Sequence, residues 1–249
     1  MAARGRSIYL VEHGARGADP LLFVHGWGVS SAAFGEFFDR LAGCYRVIAP
    51  DLPGFGRSRS AGRAVSYEAY ADVLVGVLAD LGIRRTHVVG LSMGGGIALT
   101  LAAHHPERVR ALVLMAPTGC PEASLPRLAC DRALEFAEQV LGPAPAHGKA
   151  RIAGSFAANL LRHPASLWAT VRMVASRHIV EEARQVSAPT LLLWGERDRT
   201  IPPRLAAEFK ERLPRSTLQV VPGAFHEMAT ARPDETAAII HDFISRAQA

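Results

Sequence analysis

The chain has 249 residues, 49% of them apolar and 20% charged, and its formal net charge is +5. This length and composition fit a globular protein with a sizeable core, and they exclude a chain that needs disulfides or metals for stability. Only two of its 28 basic residues are lysines, but the arginines are scattered between apolar segments, which argues against nucleic-acid binding.

The cysteines and the N-terminal residues indicate the compartment. Cys44, Cys120 and Cys130 lack metal-ligand spacing, and their odd number is typical of a reducing environment. Residues 1–13 contain no apolar segment of the kind found in secretory signal peptides. No apolar stretch reaches the roughly 18 residues that a membrane span requires. We therefore expect a cytoplasmic protein without a membrane span.

Short apolar segments alternate with longer helical patterns along most of the chain. The predicted strands lie at residues 7–11, 21–25, 45–49, 86–91, 109–115, 190–194 and 217–221. The predicted helices between and after them lie at residues 32–42, 67–81, 93–104, 204–212 and 233–246. Because the strands are apolar almost throughout, we expect a mostly parallel sheet with helices on both faces.

One region interrupts this alternation, because residues 118–185 contain no convincing strand. Helical patterns cover residues 131–141, 149–162 and 165–178, with a loop rich in proline after the first of them. We predict that residues 118–185 form a helical insert. The core would then consist of residues 1–117 and 186–249.

A glycine-rich segment, GLSMG at residues 90–94, joins a predicted strand to a predicted helix. It has the G-x-S-x-G pattern of a nucleophile elbow. The sharp turn places Ser92 in a strained backbone conformation with its hydroxyl in the open, and a Cβ at either flanking glycine would collide with the turn. The N-terminus of the next helix favours an anionic intermediate. A glycine-rich turn with a spectator serine is the alternative.

A nucleophilic serine needs a base and an acid that orients the base. Asp198 and His226 lie in the loops after the last two predicted strands. The carboxyl ends of parallel strands share one edge of a sheet, so these loops should approach Ser92. Glu196 is the rival acid, and we expect it in a surface ion pair instead. We therefore predict Ser92 as nucleophile, His226 as base and Asp198 as acid.

The segment HGWG at residues 25–28 follows an earlier predicted strand. An acyl-transfer enzyme needs two N–H donors for the oxyanion of its tetrahedral intermediate. We expect these donors to be the backbone amides of Met93 and Trp27. We expect His25 to pin the loop from a buried position rather than to serve as a second base.

Taken in order, these motifs resemble those of the α/β-hydrolase superfamily over nearly the whole chain. The matching segments are HGWG at 25–28, DLPGFGRS at 51–58, GLSMGG at 90–95, GERD at 195–198 and FH at 225–226. The resemblance implies an eight-stranded, mostly parallel sheet, a helical cap formed by the insert, a Ser-His-Asp triad and no cofactor.

Members of that superfamily differ in chemistry. Dehalogenases and epoxide hydrolases resemble this layout but carry an aspartate where this chain has Ser92. The meta-cleavage C–C hydrolases show a longer glycine–proline oxyanion loop and a tryptophan after the base, where this chain has Val29 and Glu227. The segments HGWG and DLPGFGRSR (51–59) are most similar to carboxylesterases of the pimeloyl-acyl-carrier-protein methyl ester esterase type.

This resemblance implies the hydrolysis of a small-molecule carboxylic ester. The alternatives are C–C hydrolysis or an elimination on the same triad, and a non-catalytic small-molecule receptor.

Residues 139–180 contain no acidic residue, and their basic residues are Lys149, Arg151, Arg162, Arg172 and Arg177. If these residues form a basic cap surface, it would steer an acidic acyl carrier protein to the site. The alternative is that they form a solvated helical face that binds no partner. Apolar residues there would line an acyl pocket or seal the cap: Phe156, Leu160, Leu161, Leu167 and Trp168.

Overall fold

The protein is built around one large sheet, seen in a computed structural model. The described residues are 2–3, 6–59, 65–120, 134 and 146–248. A hairpin of β1 (Ala2–Ala3) and β2 (Arg6–Ser7) stands apart from the sheet. The sheet strands are β3 (Leu10–His13), β4 (Asp19–Val24), β5 (Tyr45–Pro50), β6 (Thr86–Leu91), β7 (Val109–Met115), β8 (Thr190–Gly195) and β9 (Ser216–Val221).

The strand order is β3-β5-β4-β6-β7-β8-β9, and only β3 runs antiparallel to its neighbour. This confirms the expected mostly parallel sheet. In the described residues the sheet has seven strands, one fewer than the resemblance implied. The predicted strand at residues 7–11 is also divided, because Ser7 pairs with Ala2 in the hairpin while Leu10 pairs with Pro50 in the sheet.

Helices cover both faces of the sheet. They are α1 (Gly35–Leu41), α2 (Tyr67–Asp80), α3 (Met93–His104), α4 (Ala146–Arg162), α5 (Pro164–Ser176), α6 (Ala206–Arg212), α7 (Met228–Ala231) and α8 (Pro233–Gln248). Alternate residues of β4 enter opposite cores: Leu22 and Val24 pack with α2, α3 and α6, whereas Leu21 and Phe23 pack with α1 and α8. This period of two follows from the strand geometry. No helix in the described ranges has the length and apolarity needed to cross a membrane.

Several helix boundaries differ from the sequence predictions, and the predicted helix at residues 204–212 begins as a 3-10 turn, Pro203–Leu205, before α6. The predicted helix at residues 32–42 is a 3-10 turn, Ser31–Phe34, followed by α1. In the insert, α4 and α5 match two of the three predicted helices, while the prediction at 131–141 lies outside the described residues except for Leu134. The division into core and cap at residues 118 and 185 stays a prediction. Helix α4 packs against the Ser31–Phe34 turn and against α7.

Candidate active site

Ser92 occupies the turn between β6 and α3. Its backbone has φ 56° and ψ −119°, a conformation that L residues rarely adopt. Its amide donates to the carbonyl of Met115 at 2.9 Å. Its own carbonyl accepts from the amides of Gly95, Gly96 and Thr118 at 2.9–3.1 Å. These bonds to β7 and α3 hold the strained residue in place, at the carboxyl edge of the sheet.

The glycines on either side of Ser92 have no room for a side chain. A Cβ on Gly90 would overlap the carbonyl of Gly94, and a Cβ on Gly94 would overlap the carbonyl oxygens of Val24 and His25. The turn therefore lies directly against the end of β4. This close approach is the steric reason for the G-x-S-x-G pattern.

Asp198 and His226 form a buried pair at the same edge. His226 Nδ1 lies 2.7 Å from Asp198 Oδ2, with the two side chains 3% and 0% exposed. The other carboxylate oxygen, Oδ1, accepts from the amide of Ile201 at 2.7 Å. An ionised carboxylate only accepts, so this contact favours the tautomer with hydrogen on Nδ1, which leaves the lone pair of a base on Nε2.

Hydrogen bonds between their loops hold the acid and the base together. The amides of Glu196 and Arg197 donate to the carbonyls of Val221 and Ala224 at 3.0 and 2.8 Å. Glu196 Oε2 accepts from the amide of Gly223 at 2.7 Å. Glu196 is exposed, as expected, but among the described residues its carboxylate has no ion pair and instead braces the loop that carries His226.

The segments expected to supply the oxyanion donors lie close to Ser92. Met93 is the first residue of α3, where the backbone N–H has no partner inside the helix. The loop carrying Trp27 passes close by, since a Cβ on Gly26 would lie 3.4 Å from the Ser92 Cβ. The Trp27 indole turns toward the insert, and its Nε1 donates to the Leu167 carbonyl at 3.1 Å.

His25 pins this loop from a fully buried position, as expected. Its Nδ1 donates to the carbonyl of Gly26, and its Nε2 accepts from the amide of Leu52, both at 2.9 Å. Burial lowers the pKa of the imidazole, although the nearby Asp51 carboxylate opposes the shift. A neutral ring with both nitrogens engaged is a structural group, not a second base.

Two buried polar residues next to the site were not predicted. Asp51 accepts from the amide and hydroxyl of Ser31 at 2.9 and 2.6 Å and from the amide of Arg57 at 2.9 Å, so it joins the two loops after β4 and β5. The other is Asn159 of α4. A lone asparagine among the apolar residues of a helix was a signal available in the sequence, but its contacts depend on the fold.

The insert residues proposed to bind substrate occupy different environments. Phe156 packs edge-on against Trp27 with ring centroids 5.6 Å apart, whereas Leu160 and Trp168 are 53% and 61% exposed. Leu160 and Trp168 therefore do not seal the insert against the core. Their role in binding an acyl chain stays a prediction.

The basic residues of the insert are mostly at the surface. Arg151, Arg162 and Arg172 are exposed and have no ion-pair partner in the part of the chain that the structure describes. Arg177 is paired with Glu68 at 2.8 Å, so it contributes less to a positive surface. The side chain of Lys149 lies outside the described residues.

A separate open groove of about 750 Å³ lies at the opposite edge of the sheet. Its lining includes Arg16, Arg46, Arg84, Arg85 and Arg110. These residues precede or begin the strands, whereas Ser92, Asp198 and His226 follow them. This groove contains none of the predicted site residues.

Known proteins resemble this chain over nearly its full length. It is 32% identical to a 2-hydroxymuconate semialdehyde hydrolase of Pseudomonas putida, over 92% of this chain and 88% of that protein. It is 30% identical to a pimeloyl-[acyl-carrier protein] methyl ester esterase of Aeromonas hydrophila, over 94% and 98%. The crystal structure of a membrane phospholipase A, a bacterial virulence factor, has a TM-score of 0.83 and 28% identity, over 100% of this chain and 85% of that one.

These relatives are hydrolases of more than one kind, so they support hydrolase activity without choosing the bond that is cleaved. The sequence also matches a family described by the alpha/beta hydrolase fold over residues 19–163, which is more than half of the chain. The matched range includes the turn at Ser92 and the loop at Trp27. The chain therefore belongs to the α/β-hydrolase fold family.

Proposed function

We propose that this protein is a serine hydrolase that cleaves carboxylic esters through an acyl-enzyme. The observation that carries the proposal is the buried His226–Asp198 pair, at 2.7 Å, on the sheet edge that also holds the strained Ser92. An oriented imidazole on the sheet edge that carries a serine at an elbow is the arrangement expected to activate a hydroxyl for attack on a carbonyl. The insert would form the cap over this site.

The reaction would proceed in two halves. Ser92 Oγ attacks the ester carbonyl carbon while His226 Nε2 takes the hydroxyl proton, and the amides of Met93 and Trp27 stabilise the oxyanion. The intermediate collapses, the C–O bond breaks, and the proton passes from Nε2 to the departing alcohol. Water then attacks the acyl-enzyme by the same route and releases the acid. Asp198 stabilises the imidazolium in both halves, and no step requires a cofactor.

The first test replaces the nucleophile. Ser92→Ala should lower kcat for p-nitrophenyl butyrate by about 10⁴-fold or more and abolish labelling by a fluorophosphonate probe, because no other group can form the acyl-enzyme. Ser187→Ala is the matched control, since Ser187 is exposed and lies before β8. Full activity in the pure Ser92→Ala protein would refute the proposal, and a wild-type protein that the probe fails to label would favour a receptor.

A C–C hydrolase is the second candidate, because the semialdehyde hydrolase is the relative with 32% identity. Two residues favour the ester instead: Val29 in the oxyanion loop and the buried Glu227 after the base. They stand where the meta-cleavage C–C hydrolases show a longer glycine–proline loop and a tryptophan. Rapid mixing with an activated ester separates the two reactions. An esterase releases a burst of alcohol equal to the enzyme concentration. A C–C hydrolase turns over a vinylogous 1,5-diketone and gives no such burst.

The substrate that best fits is a methyl ester carried by an acyl carrier protein. The esterase relative at 30% identity has such a substrate in its name. Exposed Arg151, Arg162 and Arg172 on the insert would attract an acidic carrier, because long-range attraction raises the rate of encounter.

A further inference from the structure

Asn159 is a buried polar residue of α4 that is 1% exposed. Its side-chain Nδ2 donates to the carbonyl of Gly28 at 3.0 Å, and its Oδ1 accepts from the amide of Gly56 at 2.6 Å. One side chain therefore binds the backbone of two core loops, the one after β4 and the one after β5.

Asn159 is the middle member of a polar row formed by α4 and the residue that follows it. Ser155, one turn earlier, accepts from the amide of Ser30 at 3.0 Å. His163, one turn later, donates through Nε2 to the carbonyl of Gly56 at 3.1 Å. Residues four apart lie on the same face of a helix, so Ser155 and Asn159 face the two loops together, and His163 continues the row just beyond the last residue of α4.

Gly28 is the point at which this row reaches the predicted oxyanion loop. Its φ of +79° is accessible to glycine but strained for other residues, and a Cβ there would lie 2.7 Å from the Phe156 ring. The preceding residue, Trp27, supplies the amide expected to bind the oxyanion. A fixed carbonyl at Gly28 restrains the orientation of the loop that carries this amide.

We infer that Asn159 is a positioning residue that holds the oxyanion loop from the insert, so that α4 and the Trp27 amide are set in place together. This inference rests on the proposed function. Loss of the bond to Gly28 should lower kcat more than it changes KM, because an oxyanion donor binds the transition state more strongly than the bound ester.

Two substitutions separate the two halves of the contact. Asn159→Asp keeps an acceptor for the Gly56 amide but loses the donor to Gly28, whereas Asn159→Ala loses both. We expect both variants to lower kcat for p-nitrophenyl butyrate by about 10- to 100-fold, with KM changed by less than about 3-fold. Concentrations of active sites are set by fluorophosphonate titration, so a smaller folded fraction does not count as a lower kcat.

A transition-state analogue supplies a readout that a purely structural role would not move. The inhibition constant of a trifluoromethyl ketone, whose adduct carries an oxyanion, should rise by the same factor as kcat/KM falls. Gly154→Ala is the control on α4, because a Cβ there meets no atom within 4 Å, and it should leave both quantities unchanged.

The outcomes distinguish this inference from the proposed function. A wild-type protein that the fluorophosphonate does not label overturns the proposed function, and the inference with it. If the wild type is labelled but Asn159→Asp keeps its kcat and inhibition constant, only the inference is wrong. Loss of cooperative unfolding in Asn159→Asp would likewise overturn it, since the residue would then serve folding alone.

Discussion

Individual residues at the elbow combine backbone strain with close packing. The φ of 56° at Ser92 costs on the order of 1–3 kcal/mol, and it persists because four backbone hydrogen bonds hold the residue between β7 and α3. Gly94 makes the arrangement possible, since it allows α3 to start in contact with the carbonyl oxygens at the end of β4.

Gly94→Ala should therefore be strongly destabilising. Its Cβ would meet backbone atoms of Val24 and His25, which cannot rotate away, so we expect a loss of about 3 kcal/mol in the free energy of unfolding. Urea unfolding followed by circular dichroism gives this quantity, and ester hydrolysis should fall with it.

Gly154→Ala is the matched control for that substitution. It also lies in a helix, but it has open space around it, so the change should stabilise the protein by about 0.5–1 kcal/mol through helix propensity. Equal effects at both positions would show that crowding at the elbow is not the reason for its glycines.

At the scale of elements, the insert is joined to the core through one face of α4 and through buried residues of α5, while other residues of both helices are exposed. The polar row contacts the loops after β4 and β5, and the Trp27 indole reaches across to the Leu167 carbonyl of α5. Arg162 and Arg172 are exposed to solvent. This leaves a basic surface available to a partner.

Reversal of this charge tests the carrier-protein proposal. Arg162→Glu combined with Arg172→Glu should lower kcat/KM for an acyl-carrier-protein methyl ester by about 10- to 100-fold at low salt. The small ester p-nitrophenyl butyrate should be hydrolysed at the wild-type rate. The effect should shrink as ionic strength rises, because salt screens the attraction.

The double change Arg16→Glu and Arg84→Glu is the matched control, because it alters net charge equally at the opposite edge of the sheet. If both double variants slow the carrier-linked ester alike, overall charge and not the insert surface would be responsible.

At the scale of the whole molecule, two buried histidines of the described residues, His25 and His87, affect the pH dependence of stability. Burial lowers the pKa of His25 and of His87, which is hydrogen-bonded to Asp19 at 3.0 Å. In the unfolded chain both rings take up a proton near the ordinary value of 6.5. Below that pH the unfolded state binds more protons than the folded state. The contribution of these two rings to the free energy of unfolding is therefore fully present above pH 6.5 and is lost as the pH falls.

We therefore expect the free energy of unfolding to decrease by about 1–2 kcal/mol between pH 7.5 and pH 5.5. Urea denaturation at several pH values measures this slope. His87→Gln keeps a donor for Asp19 but removes one titrating group, so the variant should show a shallower slope. An identical slope in wild type and variant would exclude His87 as a source of the pH dependence.

Local patterns were enough to predict much of the fold. Apolar runs located β6 and β7 at their observed bounds, and the glycines of GLSMG identified the strand–turn–helix at Ser92. These features depend on residues close together in the chain. The same reasoning put Asp198 and His226 in loops at strand ends, and the structure places the two side chains in contact.

Contacts between distant segments needed the tertiary structure. The antiparallel pairing of β3 with β5, the bracing of the Gly223 turn by Glu196 and the link from Asn159 to Gly28 join parts of the chain that no local pattern relates. A buried polar side chain must find a partner, but its residue type does not say which one. The sequence by itself therefore determined the strands, the elbow and the candidate chemical groups. Only the packing of the segments decided what holds those groups in position.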